Sequence, residues 1–120
     1  MTLYRFIDPS IIQNNLMNNQ ELIVQFLTLY EEQIPVDLEA LKDAVEAAAH
    51  LEIGNKAHHI KPTMEYIGAH TLREKLQQLE HAGKNGVEID VIQTLFSEIQ
   101  DEITALLQEI SDYRRNLNLS

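Results

Sequence analysis

From Leu22 to Ala48 the apolar residues of this chain return mostly every three or four positions: Leu22, Ile23, Phe26, Leu27, Tyr30, Ile34, Leu38, Leu41, Val45 and Ala48. An α-helix turns once in about 3.6 residues, so this spacing draws one apolar stripe along a long helix. The same rhythm recurs in Ile92, Leu95, Ile99, Ile103, Leu106, Ile110, Tyr113 and Leu117, and more briefly in Leu72, Leu76 and Leu79. No segment alternates with the period of two that a half-buried strand needs. Four long amphipathic helices joined by short connections bury their stripes against one another. The pattern predicts an all-α fold, an antiparallel up-down four-helix bundle.

Local punctuation sets the expected boundaries. Asp8-Pro9 reads as a helix start, an N-cap residue followed by proline at the first helical position. It opens a short extra N-terminal helix of about ten residues, carrying Ile11, Ile12 and Leu16, which would cap one end of the bundle. Asn18-Asn19 closes it, and the long second helix begins near Gln20. Pro35 lies inside that pattern and predicts a kink or a break near residues 33–34. The third helix is expected over residues 51–67, with Gly68 marking its end. The fourth is expected over residues 69–81, followed by Gly83-Lys84-Asn85-Gly86 as the clearest turn in the chain.

The chain has 120 residues and 44% hydrophobic residues, enough for one domain with a real core, expected to span residues 1–120. It has no cysteine, which excludes disulfides and thiolate metal sites. A net charge of −10 disfavours nucleic acid and anionic membranes as partners. No apolar run approaches the roughly 18 residues of a membrane span. Met1-Thr2-Leu3-Tyr4-Arg5-Phe6 lacks the apolar core and cleavage site of a secretory signal. A cytoplasmic, monomeric protein is the expectation.

The charge is unevenly spread. Residues 21–50 carry −6 and residues 87–120 carry −5, but residues 51–86 carry +1. That block contains the segment Ala57-His58-His59-Ile60-Lys61-Pro62-Thr63-Met64-Glu65. On a helix, Ile53, Ala57, Ile60, Met64 and Ile67 share one arc, which faces a core. His58 then projects towards water, with Lys61 one turn on as its i, i+3 neighbour. Gly54, one turn before, is expected to leave the approach open. An exposed imidazole beside a cation suits a group that acquires negative charge. His59 is the rival, about 100° around the helix with Lys56 one turn before it, and spacing alone does not separate the two.

Ala57, His58, Lys61, Ile67, Gly68 and Ala69 resemble the pattern of the histidine-containing phosphotransfer (HPt) domain of His-Asp phosphorelays. The resemblance extends through Leu72, Leu76, Leu79-Glu80 and the glycine-containing turn, and upstream to the acidic helix of residues 21–49. Pro62, Thr63 and Met64 depart from it, since the family usually has glycine and then often a serine pair there. Pro62 withholds the donor that the His58 carbonyl would otherwise have, so a bend is expected beside the histidine.

The resemblance implies that His58 is the phosphoacceptor and that Lys61 steadies the phosphate. It implies a carrier without kinase activity of its own. Its partners would be response-regulator receiver domains, with a hybrid sensor kinase as a further candidate. It also implies that the protein needs no cofactor, the Mg²⁺ and catalytic acids belonging to the receiver. A receiver docked over His58 would meet Gly54, Asn55, His59, Pro62 and Glu65. The competing reading is a non-catalytic helical module that docks a receiver or histidine kinase without carrying phosphate; His58 together with Lys61 favours the carrier.

His50, His70 and His81 lie near helix ends, where cap and surface roles are common. No histidine pair has the i, i+4 spacing of a helical zinc site, and Glu-x-x-His occurs nowhere, so no metal site is expected.

Overall fold

The computed structural model describes residues 4–118. These contain five helices and no strand: α1 (Pro9–Asn15), α2 (Gln20–Glu46), α3 (His50–Tyr66), α4 (His70–Lys84) and α5 (Ile89–Asn118). The cap expected at Asp8 forms, and Asn19 caps α2. The Asp8 carboxylate accepts from the Ser10 N–H at 3.0 Å, and the Asn19 side-chain oxygen accepts from the Leu22 N–H at 3.1 Å. Each satisfies one backbone donor that a helix start leaves without an intrahelical partner.

Two helices continue through a proline, and one boundary differs from the sequence-based expectation. α2 runs unbroken through Pro35, and α3 through Pro62. A proline removes one backbone bond, and the ladder on either side carries the helix across. α4 continues three residues past His81, so the turn shrinks to Asn85 and Gly86, the latter at φ +66°. Gly83 belongs to the helix interior, because α3 presses against it. A Cβ on Gly83 would stand 2.7 Å from both the Gly54 nitrogen and the His50 carbonyl oxygen.

Cross-helix contacts show the sense of each pairing. Gly54 faces Lys84, His58 faces Glu80, Lys61 faces Gln77 and Glu65 faces Arg73, so α3 and α4 run antiparallel. Tyr66 stacks on Phe26 and His59 approaches Asp37, so α2 and α3 do too. Arg114 of α5 bonds Glu31 and Leu117 accepts from Gln20, which joins α5 back to α2 in the opposite sense. α4 also contacts α5, which closes the ring of four.

The core lies inside that ring. Ile53, Ala57, Ile60, Met64 and Ile67 are each at most 1% exposed, as their shared arc requires, and they meet Leu72, Leu76, Leu79, Ile99, Ile103 and Leu106. No described helix is long and apolar enough to cross a membrane.

α3 and α4 are much shorter than α2 and α5. The N-terminal segment and α1 fill the space beyond them, burying Phe6, Ile7, Ile12 and Leu16. Two devices hold this segment. The Glu109 carboxylate of α5 accepts the backbone N–H groups of Arg5, Phe6 and Ile7 at 2.9, 3.0 and 3.1 Å. The Asp8 N–H donates to the Ile67 carbonyl at 3.0 Å. The second contact depends on Gly68, whose φ is +76° and where a Cβ would fall 2.6 Å from the Asp8 Cβ. Only glycine fits both the left-handed backbone and the space.

Candidate functional site

α3 holds His58 on its outer face while Ala57 and Ile60, its neighbours on the inner arc, fix the helix against the core. The His58 side chain is 65% exposed. Its Nδ1 lies 3.3 Å and 3.2 Å from the two carboxylate oxygens of Glu80 on α4. A carboxylate can only accept, so Nδ1 carries the proton and donates it to that bond. The free lone pair of the neutral ring then sits on Nε2.

Glu80 is the organising group. Its side chain is 7% exposed, and four contacts converge on it. Besides His58 Nδ1, the Lys61 ammonium lies 2.6 Å from Oε1 and the Lys84 ammonium 2.8 Å from Oε2. Lys61 also donates to the Gln77 side-chain oxygen at 2.6 Å. Burial pushes the Glu80 carboxyl up, but the hydrogen bonds from Lys61, Lys84 and His58 more than reverse this and hold it at about 2.

That shift has a consequence for stability. The folded carboxyl titrates below the ordinary value of 4.5, so its contribution is complete above about pH 4.5 and is lost as pH falls towards 2. Acid unfolding of the native chain and of Glu80→Gln should show it. The stability difference between them should be constant above that window and shrink steadily through it. A difference that stayed unchanged down to pH 2 would mean that Glu80 is not held as an anion.

The expected site residues fall into three groups. His58, Lys61, Pro62 and Glu65 line one shallow notch of about 190 Å³ together with Arg73, which pairs with Glu65. Asn55 and His59 are exposed but line a separate groove between α2 and α3, with Val36, Asp37, Ala40 and Lys56. There the His59 Nε2 lies 3.6 Å from Asp37, so His59 faces its own carboxylate on the other side of the ridge.

Gly54 belongs to neither surface, which corrects the expectation that it opens the approach to His58. It is buried at the crossing of α3 with α4, where a Cβ would lie 3.0 Å from the Lys84 Cγ and 3.3 Å from the Glu80 carbonyl oxygen. A larger residue there would disturb helix contact as well as access. Lys61 also differs from a free surface cation: its side chain is only 14% exposed, and it is pinned between Glu80 and Gln77.

Sequence reasoning missed the roles of Gln77, Glu80 and Lys84. Glu80 did leave a signal. It follows Leu76 by four residues and so falls on the edge of the apolar stripe Leu72-Leu76-Leu79, where an ionised group needs partners. Two of those partners, His58 and Lys61, come from α3, about twenty residues upstream, and local pattern does not reveal them; the third, Lys84, is its i+4 neighbour on α4. His50 is a helix-end histidine as expected: its Nε2 meets the Val87 carbonyl at 2.8 Å and ties the start of α3 to the loop before α5.

The arrangement offers a nucleophilic ring nitrogen open to solvent, a buried anion that orients the ring, and two lysines within reach of both. Compared with known families, residues 25–111 match the family model of the Hpt domain. Neither the curated proteins nor the solved structures compared with the chain gave a match.

Proposed function

The chain belongs to the Hpt domain family, phosphotransfer modules of His-Asp relays, and on that premise we propose that it carries a phosphoryl group on His58 between receiver aspartates. The observation that carries this reading is the His58 ring, held at Nδ1 by Glu80 while Nε2 is left to solvent. The lone pair of Nε2 attacks the phosphorus of a phosphoaspartate on the receiver. The Nε2–P bond forms as the P–O bond breaks, and the aspartate departs as a carboxylate. The Nδ1 proton stays where it is, so the ring becomes cationic, and the Glu80 anion stabilises that charge. The reverse step returns the phosphoryl group to a second receiver.

The chain's own contribution to the transfer is positional and electrostatic, as phosphoryl transfer requires. Lys61 is placed to turn from Glu80 to a phosphoryl oxygen. Mg²⁺ is expected on the receiver, where it would offset charge on the acyl phosphate. We assign docking to the exposed residues on the two sides of the ridge that bears the ring, Pro62 and Glu65 in its own notch and Asn55 and His59 in the neighbouring groove. The protein acts as a carrier and not as a kinase.

The test is incubation of the purified protein with a phosphorylated receiver, followed by mapping of the acid-labile label. Label on the peptide containing His58 supports the carrier. A receiver that binds the protein and transfers nothing would reduce it to a docking module.

A further inference from the structure

Two lysines share one buried carboxylate at this site, and a phosphoryl group on His58 needs only one of them. Lys61 projects from α3 beside His58 and bonds Glu80 Oε1; Lys84 lies one turn beyond Glu80 on α4 and bonds Oε2. When Lys61 turns to a phosphoryl oxygen, it must leave Glu80. Without Lys84, a carboxylate only 7% exposed would then keep a single partner, the His58 ring. An uncompensated buried charge is strongly unfavourable, so without a second cation Lys61 would be held back.

We propose that Lys84 is a positioning residue for phosphotransfer: it keeps Glu80 paired and thereby releases Lys61 to the phosphoryl group. With His58 neutral, Glu80, Lys61 and Lys84 together carry one net positive charge. Without Lys84 the same group is neutral, and Lys61 is committed to the carboxylate. The helix crossing provides the route. The aliphatic stem of Lys84 passes over Gly54, where a Cβ would approach its Cγ to 3.0 Å. The same absence of a side chain that lets α3 meet α4 therefore also lets Lys84 reach Glu80. Its ammonium remains half exposed, at 48% for the side chain, so it acts from the rim and leaves the inner place to Lys61.

This inference rests on the phosphocarrier reading, and the experiment separates the two. Phosphoryl uptake from a phosphorylated receiver is measured for the native protein, Lys84→Gln, Glu80→Gln and the double variant, with melting curves for each. Lys84→Gln should slow uptake about three- to tenfold, or ~0.7–1.4 kcal/mol, and Lys84→Arg should restore most of the rate. In the Glu80→Gln background the same Lys84→Gln change should alter uptake less than about twofold, since the anion it serves is gone.

An equal loss in both backgrounds would make Lys84 an independent surface charge that steers the receiver. No loss in a folded Lys84→Gln protein would make it only a cation at a helix end. Either overturns the proposal. If Glu80→Gln takes up too little label to compare, NMR of the lysine ammonium groups decides. The Lys61 signal should move on phosphorylation in the native protein and stay in place in Lys84→Gln, and the same movement in both refutes the release. Native protein that takes up no label at all would instead refute the carrier reading itself.

Discussion

Replacement of His58 by glutamine should abolish phosphoryl uptake while leaving the helical content and melting temperature close to those of the native protein. The loss should exceed a hundredfold, above ~2.7 kcal/mol in barrier, because an amide has no nucleophilic nitrogen. The fold should survive because the side chain is 65% exposed and buries little apolar surface. Glutamine also carries N–H donors, so it can keep a hydrogen bond to the buried Glu80 carboxylate. His59→Gln should retain most uptake. His59 turns to Asp37 across the other groove, at 3.6 Å, away from both Glu80 and Lys61. Receiver-dependent labelling of the two proteins, with circular dichroism of each, decides between the residues. Label kept by His58→Gln and lost by His59→Gln would reverse the assignment.

Gly83→Ala should lower the stability of the bundle. A Cβ at this position would lie 2.7 Å from the Gly54 nitrogen and 2.7 Å from the His50 carbonyl oxygen. Both are backbone atoms of α3, so relief requires the two helices to separate. Overpacking of this kind costs roughly 1–3 kcal/mol, and more where backbone must move. Leaving glycine in a helix interior returns up to about 1 kcal/mol. A net destabilisation of about 2 kcal/mol is expected, a fall of several degrees in melting temperature for a chain of this size. Since α3 and α4 also carry His58 and Glu80, phosphoryl uptake should fall with it. An unchanged melting temperature would mean that the helices slide past the added methyl at no cost.

Much of this architecture could be read from residue spacing, because a helix writes its buried face into a period of three and four. The arc from Ile53 to Ile67 and the caps at Asp8 and Asn19 are local facts of that kind. Gly83 is not. As a sequence it reads as the beginning of a turn, and only the approach of α3 explains why it lies inside a helix. Gly54 misleads in the same way: its missing side chain serves a neighbouring helix and not an incoming partner. Pro35 suggested a kink or a break, and the break is absent: α2 runs on through Pro35, as α3 does through Pro62, each across the one backbone bond that a proline removes. At the site, His58 and Lys61 stand one turn apart and are visible together. The carboxylate that orients them lies on another helix, and its second lysine one turn further along it.

The unequal helices divide the molecule by strength. At about 1.5 Å per residue, α2 is about 40 Å long and α3 about 26 Å. The remainder is covered by a short helix and a strap hung on the Glu109 carboxylate. In hydrogen-exchange terms these should behave as two cooperative units. Amides of residues 4–16 should open often and at low free energy, while those in the middle of α3 and α4 should wait for global unfolding. The His58 ring should sit in the slow-exchanging unit, insulated from fluctuations at the end closed by the strap.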